Sequence, residues 1–422
     1  MAHSAGRRER TGRARLAAAV AAFLAVATVV GLVVLRPTGE GRPDTTVLGA
    51  APEVYAASIE RVTEQPCEGA AEGSPECWIV VFRLLAGPDE GRTVELELIA
   101  NSPRVTDLDP GDKVLMGRFP DLPEELQYAL LDTDRRATLV YLVVLFAAAV
   151  VVLGGIRGLA ALVGLGATVV VLLAFILPAI LEGHNPLAVA LVGATAIAFL
   201  ALYLSHGFTT RTTVALLGTL GGLACVALLA LAFMALAGIT GFGSEEAFVV
   251  SALGTQIDLR GLVLGGIVIG ALGAIDDMTV TQASAIWELR SADPGISRRS
   301  LLRSGMRIGR DHVASTVNTL VLAYAGASMP LLILFVLSEQ SFGTVANNEV
   351  LATEIVRTLV GSIGLVASVP ITTWLAVTLP GTNGSDREPA APVPGRGGGD
   401  GEDASPAPEE VPIPRRRRDA IF

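Results

Sequence analysis

Charged residues are scarce in this chain, and that scarcity narrows the class of protein before any motif is considered. They make up 17% of the 422 residues, whereas 51% are hydrophobic and the mean hydropathy is +0.56. This balance is typical of membrane proteins and argues against an ordinary soluble domain. Lys113 is the only lysine, so almost all of the positive charge is carried by arginine.

Cysteine is also scarce, with three residues in the whole chain. Cys225 lies in an apolar run, where cysteine acts as a small buried side chain. Cys67 and Cys77 flank a short loop, a spacing that suits a disulfide if the loop faces an oxidising compartment. No histidine or third cysteine lies near this pair, so the sequence predicts no metal site there.

The familiar catalytic motifs are missing. The sequence contains no H-E-x-x-H, no G-x-S-x-G nucleophile elbow and no P-loop. The segment DDMTV at 276–280 does not continue as a DDxxD metal motif. A GxGD-type intramembrane aspartyl protease fits poorly, because Ala274 and Ile275 precede Asp276. We therefore expect neither an enzyme nor a cofactor.

Long apolar runs dominate what remains. A helix needs about 20 apolar residues to cross a bilayer, and eight segments qualify. The first resembles a signal peptide, but its length and the lack of a clear A-x-A site favour an uncleaved anchor. The predicted spans are 16–35, 138–155, 158–180, 186–204, 213–238, 260–284, 312–337 and 355–379.

Arginine falls at every second connection, which predicts orientation by the positive-inside rule. With the basic N-terminus inside, Arg157 and Arg211 fall in short inside loops, and the arginine-rich loop 290–310 is also inside. The C-terminal arginines at 415–418 then fall inside as well. The sequence thus predicts a multi-pass protein of the bacterial plasma membrane, embedded in the lipid bilayer, with both termini cytoplasmic.

The domains follow from these spans. A basic cytoplasmic segment (1–15) and an anchor helix (16–35) precede an extracytoplasmic domain (45–135), a seven-helix membrane domain (138–380) and a disordered cytoplasmic tail (381–422). The outer domain is β-rich, with runs at 53–62, 77–85, 92–100 and 113–119 and turns at 87–91 and 107–112, which predicts a small barrel, OB-like, or a sandwich. Its acidity argues against nucleic acid. The acidic side chains form either a solvated surface or a cation-binding face.

The sixth span changes character along its length. Gly261 with Gly265, and Gly266 with Gly270, have the spacing of a close helix-packing face. C-terminal to these glycines, the helix becomes polar along one stripe with i, i+4, i+7, i+11 spacing. The stripe contains Asp277, Thr281, Ser284 and Glu288, while Asp276 and Gln282 lie beside it.

The seventh span begins with a similar polar stripe. Arg307, Asp311 and Asn318 share one face, with His312 and Thr319 beside them. A loop of modest length joins the two spans, so we expect them to form a hairpin with their stripes facing each other or a shared cavity.

These segments resemble the YibE/F family of bacterial multi-spanning membrane proteins. The resemblance rests on GAIDDMTVTQASAIWEL (273–289), SGMRIGRDH (304–312) and STVNTLVLAYAGASMPLL (315–332), and it extends over about residues 45 to 380. Family members are often regarded as transporters or permeases, without a settled substrate. Where many members have a single aspartate after a hydrophobic residue, this chain has Asp276 and Asp277.

Two functions fit these observations. In the first, the protein is a membrane transporter whose intramembrane carboxylates carry a proton or Na⁺. Asp277 heads the stripe and is the favoured carboxylate, with Thr281, Ser284 and Asn318 as neutral ligands. In the second, the protein is a non-transporting scaffold: the polar stripe fastens helices together, and the outer domain binds a protein partner.

Overall fold

The computed structural model describes residues 2–39, 52–67, 76–99, 108–243, 245–252, 257–338 and 340–379. The tail from residue 381, predicted to be disordered, lies outside the described residues, as does the loop 68–75 between Cys67 and Cys77. In the described part, one long helix is followed by a five-stranded sheet and then by a series of helices.

The predicted β-rich domain is present as one antiparallel sheet. Its order is β3-β2-β1-β4-β5, and the side chains of Ala57, Val80, Phe82 and Met116 are fully buried on one face. The edges of the sheet, β3 and β5, are not paired with each other, so the described strands form an open half-barrel and not the closed OB-like barrel expected. The strands are β1 (Glu53–Pro66), β2 (Glu76–Leu84), β3 (Thr93–Ile99), β4 (Lys113–Arg118) and β5 (Tyr128–Thr133).

The turns of the sheet are where the glycines predict them. Gly87, Gly91 and Gly111 have φ angles of 101°, 85° and 102°, values that favour glycine. Gly87 also lies against the ring of Tyr55, where a Cβ would be 2.7 Å from the ring. Cys67 and Cys77 are joined by a disulfide with their Cα atoms 4.8 Å apart, which closes the end of the β1–β2 pair.

The helices vary widely in length. Those long enough to matter for a membrane are α1, α2, α4, α5, α7, α8 and α11, and a π-helical stretch (Leu172–Ile176) continues α2 into α3. Their bounds are α1 (Ala2–Val34), α2 (Arg136–Val171), α3 (Leu177–Leu181), α4 (Pro186–His206), α5 (Thr210–Leu236), α6 (Glu245–Ala252), α7 (Leu259–Ala292), α8 (Arg298–Ala327), α9 (Met329–Leu337), α10 (Phe342–Ala346) and α11 (Glu349–Thr378).

Six of the described helical segments are long and apolar enough to cross a membrane, or seven if the bent pair α8 and α9 forms one span. The sequence predicts eight, and the difference lies in the 46-residue segment from Arg136 to Leu181. Straight, it would extend about 69 Å, more than twice a bilayer core of about 30 Å. It is broken at Gly155 (φ 56°, ψ −136°), and the Val150 carbonyl lies against Gly158, so the chain bends sharply there.

The core of the helical part is the contact of α5 and α11 with α7. The helices α7 and α11 run in the same direction, because the Arg357 guanidinium lies near Gly266 and the Arg290 guanidinium binds the last carbonyls of α11. The helix α5 runs the opposite way, with Gly218 against Thr372 and Gly222 against Gly364. Small residues at these contacts allow the helix backbones to approach closely.

Two ends of the bundle can be distinguished, and we call them the Glu349 end and the Arg290 end. At the first, the Glu349 carboxylate accepts hydrogen bonds from the backbone N–H groups of Thr240 (2.9 Å) and Gly241 (2.7 Å), which fastens α11 to the loop after α5. At the second, Arg290 donates to the carbonyls of Ala376, Val377 and Leu379.

The chain just after α1 is fastened to the bundle by a carboxylate. Oxygen atoms of Glu182, just after α3, accept hydrogen bonds from the backbone N–H groups of Thr38 (2.7 Å) and Gly39 (2.6 Å). These bonds, that of Thr38 first, lower the pKa of Glu182 below its usual 4.5. Because the pKa of Glu182 is lowered in the folded protein, its carboxylate stabilises the fold at pH values above 4.5. That contribution is lost as the pH falls through the lowered pKa.

We therefore expect Glu182→Gln to lower the thermal midpoint in detergent at neutral pH, because the amide has one acceptor oxygen and no charge. The gap from wild type should close as the pH falls below 4.5, where the wild-type carboxylate becomes protonated. Glu125→Gln, at an exposed position, is the control and should change neither the thermal midpoint nor its dependence on pH. Equal midpoints for Glu182→Gln and wild type at neutral pH would contradict the role of this contact.

Candidate functional site

Asp276 lies where α7 meets α5, and its carboxylate contacts a hydroxyl of that neighbouring helix. Thr219 Oγ1 is 3.3 Å from Asp276 Oδ1 and 2.7 Å from Thr279 Oγ1, and Thr279 Oγ1 donates to the Asp276 carbonyl (3.0 Å). Both threonines are fully buried, and Asp276 is partly buried. The result is a polar contact between two helices, inside surroundings that are otherwise apolar.

The hydroxyl protons in this contact have more than one acceptor. Thr219 Oγ1 is also 3.1 Å from the carbonyl of Ala215, one turn back along α5. A hydroxyl donates one proton at a time, so Thr219 donates to its own helix, to Thr279 Oγ1 or to Asp276. The Asp276 carboxylate is therefore held by an adjustable donor.

Glycines allow this contact to form. At Gly218 the Thr372 hydroxyl and the Thr279 methyl leave no room for a Cβ, and at Gly222 a Cβ would lie 2.9 Å from Ile275. The side chain of Ile275 is wholly buried. Its position directs the next residue, Asp276, toward α5.

The two aspartates lie on different faces of α7. Asp277, which the sequence favours as the functional carboxylate, is exposed, whereas Asp276 contacts α5. The described side-chain hydrogen-bond partner of Asp276 is Thr219 of α5. Neighbouring residues on a helix are about 100° apart, so the two aspartates point in different directions.

Gln282 joins three helices. Its side-chain Nε2 donates to the Gly305 carbonyl of α8 (2.9 Å) and to Thr373 Oγ1 of α11 (2.7 Å), and the residue is buried. Gly305 is packed against Ile286, and Gly309 against Gln282 itself. The hairpin of α7 and α8 therefore closes through Gln282 and a glycine face, and the two polar stripes do not face each other.

The predicted residues of α8 are consequently on an outer face. Each is exposed, and the described hydrogen bonds link none of them to Asp276: Arg307, Asp311, His312, Asn318 and Thr319. The stripe on α7 divides similarly, because Glu288 is exposed while Thr281 and Ser284 are partly buried. Ser284 lines a small cavity between α5 and α7, together with Thr212 of α5.

A second polar cluster was not predicted. Arg357 Nη1 pairs with Glu354 (2.8 Å), and its Nε is buried without a hydrogen-bond partner among the described residues. The Arg357 guanidinium and the Tyr324 hydroxyl lie at Gly266 and Gly270, so this glycine pair receives polar side chains where the sequence predicts a helix backbone. A charged i, i+3 pair at the start of the eighth apolar run was the available signal.

These features define a class: a helical protein with several apolar helices of membrane-spanning length, a small sheet domain before most of them, and a carboxylate inside the bundle. A family profile described as YibE/F-like protein matches residues 142–381. The chain therefore belongs to the YibE/F-like family, as its motifs indicated. The sheet domain precedes the matched segment. No curated protein and no solved structure matches the chain.

We expect Gln282→Met, which keeps the volume and removes both donors, to destabilise the protein by about 1–3 kcal/mol, because the Gly305 carbonyl and the Thr373 hydroxyl lose a buried donor. Thermal or denaturant unfolding in detergent measures the change. Glu288→Met on the same helix is the control, since Glu288 is exposed. Equal stability of the two variants would show that Gln282 does not hold the helices together.

Proposed function

We propose that the chain is a multi-pass protein of the bacterial plasma membrane with eight spans and both termini cytoplasmic. The break at Gly155 supports two spans between Arg136 and Leu181, and α8 with α9 counts as one bent span. The described arginine-rich connections lie at the Arg290 end, and the carboxylates Glu182 and Glu349 lie at the other. Arginine accumulates on the cytoplasmic side of membrane proteins, which supports this orientation.

Within that membrane the proposed activity is transport coupled to an ion or a proton through Asp276. The observation that carries this proposal is the contact of the Asp276 carboxylate with Thr219 inside the helix bundle. A charge at that depth is costly, by about 2.5–3.5 kcal/mol on insertion scales. Carboxylates that remain in such places commonly bind and release a cation. We propose no enzymatic reaction and no cofactor.

A scaffold function is the second candidate, and Gln282 favours it. Its hydrogen bonds to two other helices are of the kind that fastens membrane helices together. In this alternative Asp276 is part of the same fastening, and the sheet domain binds an extracytoplasmic protein partner. The two functions differ in what the loss of the Asp276 charge does.

We expect Asp276→Asn to reduce flux to the level of protein-free vesicles, because asparagine keeps the shape and the contact to Thr219 but cannot exchange a proton or bind a cation by charge. The assay uses purified protein in proteoliposomes under an imposed pH gradient, with an entrapped pH dye, and under a Na⁺ gradient with labelled Na⁺. Asp277→Asn is the matched control, since that neighbour is exposed, and it should retain most of the flux.

Folding is checked by elution volume and thermal midpoint for each variant. A wild-type protein that is folded and yet shows no flux under either gradient would favour the scaffold. Loss of flux in Asp277→Asn alone would move the function to the exposed stripe of α7 and overturn the assignment to Asp276.

A further inference from the structure

A small cavity lies between α5 and α7, close to Asp276. Its volume is about 10 Å³, roughly the space that one water molecule requires. We call it the α5–α7 cavity, and it is lined by His206, Arg211, Thr212, Ala215, Val280 and Ser284.

The cavity lies on the Arg290 side of Asp276, and its nearest lining residues are one helical turn from Asp276 and Thr219, which do not line it themselves. On α7, Val280 and Ser284 are one and two turns from Asp276 toward the Arg290 end, or about 6 and 12 Å. On α5, Ala215 is one turn from Thr219, and its carbonyl is one of three acceptors for the Thr219 hydroxyl. The other two are Thr279 Oγ1 and the carboxylate of Asp276. Thr219 is therefore the described hydroxyl between Ala215, which lines the cavity, and the carboxylate.

The other end of the cavity is basic. His206 ends α4 and Arg211 begins α5, and Thr212 Oγ1 donates to the His206 carbonyl (3.3 Å). Arg211 and Arg157 are close enough for their positive charges to act on the His206 imidazole. The positive charge of Arg211 opposes every cation at this end, protons included, but an imidazole can accept and release a proton.

We propose that the α5–α7 cavity is the path by which protons from the Arg290 end reach Asp276, which makes a proton the coupling ion. This proposal rests on the proposed transport function. Na⁺ is a poor alternative, because a hard cation takes about six oxygen ligands and the described contacts of Asp276 supply few. A proton needs only a chain of groups that each accept one proton and donate another.

In this transfer only bonds to hydrogen form and break. A proton leaves His206 or bulk water and is accepted by a water molecule in the cavity. A further water molecule, admitted when the two helices fluctuate, carries a proton across the remaining turn of about 6 Å to the Thr219 hydroxyl, which donates its own proton to a carboxylate oxygen of Asp276. The reverse sequence releases it, and no oxidant, reductant or leaving group takes part.

The test is the rate of hydrogen–deuterium exchange at the Asp276 carboxyl. Infrared spectra of the full chain in lipid films, at acidic pH, contain a C=O stretching band of the protonated carboxyl that disappears in Asp276→Asn. On transfer to D₂O the band shifts, and its rate of shift measures access of water. We expect Ser284→Leu, which fills the cavity, to slow the shift several-fold. Ser291→Leu, on an exposed part of the same helix, should not.

Thr212→Val is a second variant, because it keeps the size of the side chain and removes only the hydroxyl, so it preserves folding better. Slower exchange in either variant, with unchanged elution volume and thermal midpoint, supports the path. Exchange as fast as in wild type in both variants overturns it. Flux distinguishes the two proposals: slow exchange in Ser284→Leu or Thr212→Val, together with a folded wild-type protein that shows no flux, leaves the path standing and removes the transport function.

Discussion

The close approach of α5 to α7 and α11 is the constraint on which the rest of the helical structure depends. Gly218 and Gly222 leave no room for a Cβ, and the space is taken by Thr372, Thr279 and Ile275. In a bilayer the hydrophobic effect does not drive helices together, so packing and hydrogen bonds must do so. The glycines permit both, because they allow the hydroxyls of Thr219 on α5 and Thr279 on α7 to come within 2.7 Å of each other.

The sheet domain was largely predictable from the sequence. Four strands and their glycine turns follow from alternation of apolar residues and from turn residues, and the disulfide joins the cysteines whose spacing suggested it. The fifth strand, Tyr128–Thr133, was missed because only Tyr128 and Leu130 are buried in it. Closure into a barrel was wrong, since alternation predicts strands but not which edges pair.

The helical site was harder to predict. Periodicity groups Asp277, Thr281 and Ser284 on one face of α7, but it does not say which face points into the bundle. In a soluble helix the apolar face would decide this. A membrane helix is apolar on most sides, so the orientation of Asp276 is set by tertiary packing around Ile275. The partner Thr219 lies 57 residues away in the chain, with no local pattern to reveal it.

Two polar centres on α7 impose a requirement on any transport by this fold. Arg357 and Tyr324 lie at Gly266 and Gly270, and Asp276 lies about 9–15 Å further along the helix. Between them α7 presents buried apolar residues such as Ala271 and Leu272. A solute that passes from one centre to the other must cross this apolar layer, so some helix has to move. The 64° bend between α8 and α9 lies only four residues beyond Tyr324, so a change in that bend would displace the Tyr324 hydroxyl from Gly270.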